Sequence, residues 1–183
     1  MTRIGVVGLD LSLRCSAAVY VPPRWTFGRW SVLRSQTFVC RADEKGPQRL
    51  AYIAEGIAMF VRRWGDCAVF VEDYAYGMMA GSASMLQLAE LGGAVKARLY
   101  TDCKVTARPM NQSTARKLFL GKLPQKDRAM LTHRAIKALG TCFKTADEGD
   151  AWVVANAGRS ELGMQAVTDA LTPALEAAYL LGD

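Results

Sequence analysis

The 183-residue sequence contains one histidine, His133, and this sets aside histidine-based triads and histidine-rich metal sites. Its five cysteines, Cys15, Cys40, Cys67, Cys103 and Cys142, are odd in number and form no C-x-x-C pair. A disulfide framework and a zinc site are thereby disfavoured, and a reducing cytoplasm with mostly buried thiols is expected. No apolar run approaches the roughly 20 residues of a membrane span, and Met1-Thr2-Arg3 leads straight into a strand without signal-peptide design. Repeats, linkers and low-complexity segments are also missing, so residues 1–183 are expected to form a single domain. Acid is scarce where base is dense: between Lys104 and Lys144 ten Lys or Arg face one acid, Asp127, while acids dominate from Asp147 onward. With a formal charge of +6, that block points to a phosphate-binding face and a polyanionic partner.

What is present is organised around Ile4–Leu13, an apolar strand ending in Asp10. Such a run lies inside a sheet covered on both faces, and a carboxylate at its end costs several kcal/mol unless paired or metal-bound. Further strands are expected over Cys15–Val21 and Ser31–Cys40, with Leu13-Arg14 in the first turn, giving an antiparallel meander. Pro47 opens a helix to about Trp64, and Cys67–Glu72 is a buried strand that again ends in an acid. A glycine- and serine-containing loop, Gly77–Ser84, precedes a helix to Leu99, with Gly92-Gly93 inside it pointing to close backbone packing or a subunit seam that also uses Leu86, Leu88 and Leu91. A fifth strand is expected over Asp102–Ala107, then helices over Ser113–Leu120, Lys126–Leu139, Asp147–Gly158 and Gly163–Leu181. This order predicts an α/β fold, a mixed sheet with helices on both faces.

Three acidic sites stand out: Asp10, Glu72 and the Asp147-Glu148-Gly149-Asp150 cluster. Asp147 and Asp150 share a helical face, although acids in a first turn also compensate the helix dipole. If the strands of Asp10 and Glu72 are neighbours, the carboxylates gather and repel unless a cation neutralises them. Oxygen-only ligation selects Mg²⁺, with Mn²⁺ as a substitute, and two such ions can clamp a phosphodiester. Glu148 reads as a solvated neighbour. Trp25, Trp30, Trp64 and Trp152 read as packing residues, and His133 as a surface residue.

Gly8-Leu9-Asp10-Leu11-Ser12, Val71-Glu72-Asp73-Tyr74-Ala75-Tyr76-Gly77, Gly121-Lys122 with Lys126-Asp127, and Asp147-Glu148-Gly149-Asp150-Ala151 together resemble the RuvC family of Holliday-junction resolvases, its bacteriophage-type members most of all. The resemblance spans about Gly5 to Asn156. It implies a ribonuclease-H-like fold with a five-stranded sheet, and a homodimer that cuts four-way branched DNA with two metal ions per site. It places the metal ligands at Asp10, Glu72, Asp147 and Asp150, which are also catalytic, and a further catalytic residue, a basic one near the scissile phosphate, at Lys126. DNA contacts are implied at Arg116, Lys117, Lys122 and Lys126, and at Tyr74 and Tyr76, which flank Ala75 where the family often has an aromatic. Arg116 stands where a lysine is more usual. The residues leave two rivals open: a ribonuclease-H-like nuclease for RNA or for general branched and flap DNA, and a junction-binding protein that does not cleave. An actin-like ATPase needs a second related half, for which 183 residues leave no room.

Overall fold

The structure is a computed structural model and describes residues 4–24, 34–40, 44–73, 83–120 and 143–164. Five strands, β1 (Gly5–Asp10), β2 (Cys15–Val21), β3 (Arg34–Val39), β4 (Cys67–Asp73) and β5 (Arg108–Asn111), form one sheet in the order β3-β2-β1-β4-β5. β1, β2 and β3 are the expected antiparallel meander, whereas β4 joins β1, and β5 joins β4, in parallel. The parallel joins are crossovers through α1 (Gly46–Arg62) and α2 (Ala83–Cys103); α3 (Gln112–Leu120) and α4 (Ala146–Glu161) complete the described helices.

Strand residues alternate faces, and the two cores follow that alternation. Val7, Leu9, Val69 and Val71 pack under α1 and α2 with Ile53, Ile57, Leu91, Val95 and Leu99. Val6, Val19 and Phe70 pack on the opposite face with Trp152, Ala155 and Phe119 from α4 and α3. The result is the mixed five-stranded, two-faced ribonuclease-H-like architecture expected from the sequence.

Several boundaries differ from expectation, each for a local reason. Residues 102–107 are not the fifth strand: α2 runs on to Cys103, Lys104 turns the chain at φ 57, and the strand follows at Arg108–Asn111. Pro109 is tolerated there because β5 is the edge of the sheet, where one flank needs no N–H donor. Gly163, expected to open a last helix, instead closes α4 at φ 68, and Met164 N–H returns to Arg159 O at 2.9 Å. Leu91 is fully buried and so does not belong to an outer seam, and Leu88 is half-buried against the core. Among the described residues nothing lies within 4 Å of where a Gly93 side chain would begin, so close packing against them does not account for this glycine. Of the four cysteines among the described residues, all free, only Cys67 is buried; Cys15, Cys40 and Cys103 are half-buried. Trp152 is a core residue, set edge-on to Phe119 at 5.2 Å, and Trp64 stacks on Tyr20 at 4.3 Å. The expected helices over residues 126–139 and 165–181 lie outside the described residues, as do Trp25, Trp30, His133 and Cys142. No described helix is long and apolar enough to cross a membrane.

Candidate active site

The parallel register of β1 and β4 pairs Leu9 with Val71, so the next residues, Asp10 and Glu72, are neighbours at the same sheet edge. Asp10 shares the parity of Val6 and Gly8, and Glu72 that of Phe70, so both emerge on the face covered by α3 and α4. α4 meets this end of the sheet with its N-terminus, which carries Asp147 and Asp150. Its approach is close because Gly8 has no side chain: a Cβ there would fall on the carbonyl oxygen of Ala151 and the amide nitrogen of Ala155.

Three local devices hold the acids in place. In the turn after Asp10, the Ser12 hydroxyl accepts from the amides of Arg14 (3.2 Å) and Cys15 (3.1 Å), while the buried Ser16 hydroxyl donates to Ser12 O at 2.8 Å and accepts from Ser12 N at 3.0 Å. At the start of α4, Thr145 and Glu148 form a reciprocal capping box. Glu148 is therefore no solvated neighbour. It is 4% exposed and accepts the Lys144 amide at 2.6 Å. The third device is Arg116 on α3, whose guanidinium reaches Asp150 Oδ1 at 3.4 Å; both side chains are only 15% exposed.

Burial pushes the Asp10 carboxyl up to about 8, and the charges of Glu72, Asp150 and Asp147 push the same way, with Arg116 opposing. Burial raises Glu72 to about 7, reinforced by Asp150 and opposed by Arg116 and by hydrogen bonds from Gln112 and Asp10. The structure thus brings Asp10, Glu72, Asp147, Asp150 and Arg116 into one electrostatic neighbourhood. Cys15 is a member the sequence reading did not single out: its thiol hydrogen-bonds the Asp147 carboxylate, and burial, then that contact, push it up to about 11. Its place at the start of β2, just past the Asp10 turn, was the available signal. Lys117 is exposed on α3. Lys122, Lys126, Tyr74 and Tyr76 lie outside the described residues.

Among the described residues, no three His, Cys, Asp or Glu side chains stand in an arrangement that holds a metal ion. The donor chemistry nevertheless fits a hard divalent cation. The site offers four carboxylates, burial and neighbouring charge disfavour the ionised forms of Asp10 and Glu72, and among the described residues Arg116 is the one guanidinium paired there.

A pH dependence follows for the metal-free protein. Asp10 and Glu72 hold protons in the folded state up to about 8 and about 7, but release them near 4 when unfolded. Between those limits the folded state binds more protons, so stability is greatest below about pH 4.5 as far as these two groups are concerned and is lost as pH rises toward 8. Thermal melts in EDTA should show this pair lowering Tm from pH 5 to pH 8.5, with Mg²⁺ restoring Tm at the alkaline end. A metal-free profile for Asp10→Asn as steep as the wild type would contradict the assignment.

No protein-family model matches the chain, and no curated protein sequence matches it. Solved structures do. The chain is similar to Thermus thermophilus RuvC with a TM-score of 0.63 at 16% identity, covering 88% of this chain and 98% of that one. It is similar to T. thermophilus RuvC in complex with Holliday junction substrate (TM-score 0.62, 14% identity, 87% and 96% covered). The yeast mitochondrial Holliday junction resolvase also matches, with a TM-score of 0.55 at 12% identity, 95% of this chain and 81% of that one being covered. At such identities the likeness is one of fold.

Proposed function

We propose that the chain is a divalent-metal-dependent endonuclease that hydrolyses phosphodiesters in branched DNA, four-way junctions above all, and acts as a homodimer in the cytoplasm. The observation that carries this reading is the convergence of Asp10, Glu72, Asp147 and Asp150 at one sheet end, with Arg116 among them. The fold it occurs in is shared with a RuvC structure in complex with Holliday junction substrate. A protein that merely binds polyanions gains nothing from buried carboxylates facing the DNA.

In this reading Asp10, Glu72 and Asp150 hold Mg²⁺ or Mn²⁺, with Asp147 as a fourth ligand. When bound, the ions supply Lewis-acid charge and an activated water for in-line hydrolysis. The chain's own groups do the rest. The Ser12–Ser16 turn and the Thr145 cap fix the carboxylates, and Arg116 offers a phosphate-binding fork beside them. Lys117, Lys122 and Lys126, with Tyr74 and Tyr76, hold the DNA arms, and Lys126 stands near the scissile phosphate. Residues 1–183 work as one domain.

The outer face of α2 supports the dimer. Leu86 and Tyr100, each 64% exposed, lie on the helix stripe of Gly93, opposite the buried Leu91, Val95 and Leu99. A stripe meeting its own copy across a two-fold axis makes an isologous interface, and two sites related by that axis suit paired cuts on opposing strands.

The test is cleavage of a labelled synthetic four-way junction in Mg²⁺ or Mn²⁺, beside duplex, flap and RNA–DNA hybrid controls, with light scattering on the same sample. Paired cuts in the junction by a species of twice the 20.0 kDa chain mass are expected. Preferred cleavage of the hybrid, or junction binding without cleavage in either metal, would replace this reading with one of its rivals.

A further inference from the structure

Three described arginines outside the acidic site are balanced by acids of their own. Arg62 and Arg98 share Asp102, at 3.2 and 2.7 Å, and Arg108 reaches Glu161 at 3.9 Å. Two cations at the acidic end of the sheet are not balanced in this way. Arg14 and Lys144 are exposed, and among the described residues neither side chain forms an ion pair or a hydrogen bond. Both are nevertheless fixed at the backbone. The Arg14 amide donates to Ser12 Oγ at 3.2 Å, and its carbonyl accepts from the Cys40 amide at 3.4 Å. The Lys144 amide donates to Glu148 Oε2 at 2.6 Å, an extension of the Thr145 capping box. The two segments also meet. Cys15, next to Arg14, hydrogen-bonds Asp147, three residues past Lys144, where β2 and α4 pack together. Arg14 and Lys144 thus flank the acids on the β2 side, while Arg116 and Lys117 of α3 flank them on the β5 side. α3 and α4 both begin at this end, which adds the positive ends of two helix dipoles.

We propose that Arg14 and Lys144 form a phosphate clamp on the β2 flank of the acidic site, gripping the DNA backbone beside the phosphodiester that lies over Asp10 and Glu72. This rests on the nuclease reading and adds to it a second anchor on the strand being cut. A strand held by the cations of α3 alone can pivot about that contact. Held on both flanks, it is stretched across the carboxylates, and their repulsion of its phosphates is offset on either side. The arginine fork can take a phosphate with two parallel N–H bonds, and the lysine acts beside it as a point charge. Neither group reads a base, so the clamp contributes affinity and register but no sequence preference.

The test measures four-way junction binding by fluorescence anisotropy in EDTA across a series of NaCl concentrations, so that neither cleavage nor metal enters. Arg14→Ala and Lys144→Ala are each expected to flatten the slope of log K against log [NaCl] by about one unit, and the double variant by about two. Arg63→Ala removes an exposed cation at the C-terminus of α1, at the opposite end of the sheet, and should keep the wild-type slope. A second arm places the contact. Junctions carry a single uncharged methylphosphonate at successive positions around the cut site mapped with the wild type. The wild type should lose about one unit of slope at positions immediately to one side of the cut, and the double variant should lose none there. Wild-type slopes in both single variants and in the double variant overturn the clamp while the nuclease reading stands. A double variant that stays sensitive at every position where the wild type is sensitive does the same. A wild type that neither binds nor cuts the junction overturns the nuclease reading and the clamp with it.

Discussion

Asp10→Asn is expected to bind a four-way junction as the wild type does and to cleave it roughly a thousandfold more slowly, a loss of several kcal/mol of transition-state stabilisation. Asp10 sits at the centre of the site: burial and three neighbouring acids act on it, and it hydrogen-bonds Glu72. The amide keeps the shape and removes the charge a cation needs. It also removes the repulsion that the metal-free fold tolerates, so the variant should melt higher than the wild type in EDTA at pH 8. Gain of stability with loss of cleavage is a signature that a misfolded variant cannot produce. Gel shift, cleavage and thermal melts on one preparation decide it, and near-wild-type cleavage removes Asp10 from the mechanism.

The second large effect belongs to a residue with no chemistry. Gly8→Ala adds one methyl group, but the group lands on the backbone of Ala151 and Ala155, which cannot rotate away. α4 must lift from β1 or the strand must shift. Overpacking against backbone should cost about 3 kcal/mol, and the displaced helix takes Asp147 and Asp150 with it. Loss of both stability and cleavage is expected, with metal binding weakened in parallel. Gly5→Ala is the contrast on the same strand, because the three atoms nearest its methyl all belong to the Tyr20 side chain rather than to backbone. Denaturant titration of the two variants checks the difference; equal midpoints would mean that α4 yields easily.

Much of this arrangement was legible before any coordinates. Two apolar runs ending in Asp10 and Glu72 announced buried strands with carboxylates at their tips, but that the tips lie side by side on one face depends on the parallel register of β1 and β4, which neither run encodes. The fifth strand was misplaced because Val105 and Ala107 carry strand-like residues while Pro109 reads as a breaker; only the position of β5 at an edge makes that proline acceptable. Glu148 was misread because a charged residue beside two others looks solvated, although Thr145 three residues earlier spells a capping box. The pairing of Arg116 with Asp150 spans 34 positions of chain and depends on how α3 packs against α4, which no local pattern encodes.

α4 carries one more consequence. From Glu148 to Arg159 every residue except Asp150 is buried, with Trp152 at the centre and small residues, Ala155, Ala157 and Gly158, letting it sink against the sheet. A helix buried on all sides cannot fray on its own, because each of its turns is also a floor for β1, β2 and β4. Its amide protons between Ala151 and Asn156 should therefore exchange with deuterium only through whole-molecule opening, among the slowest in the chain. The aspartates at its head inherit that rigidity: they ride on an element whose only alternative conformation is the unfolded state. For this protein, heat or denaturant would erase the geometry of the acidic site and the core in a single step, with no partly open form in which the acids have drifted while the rest endures.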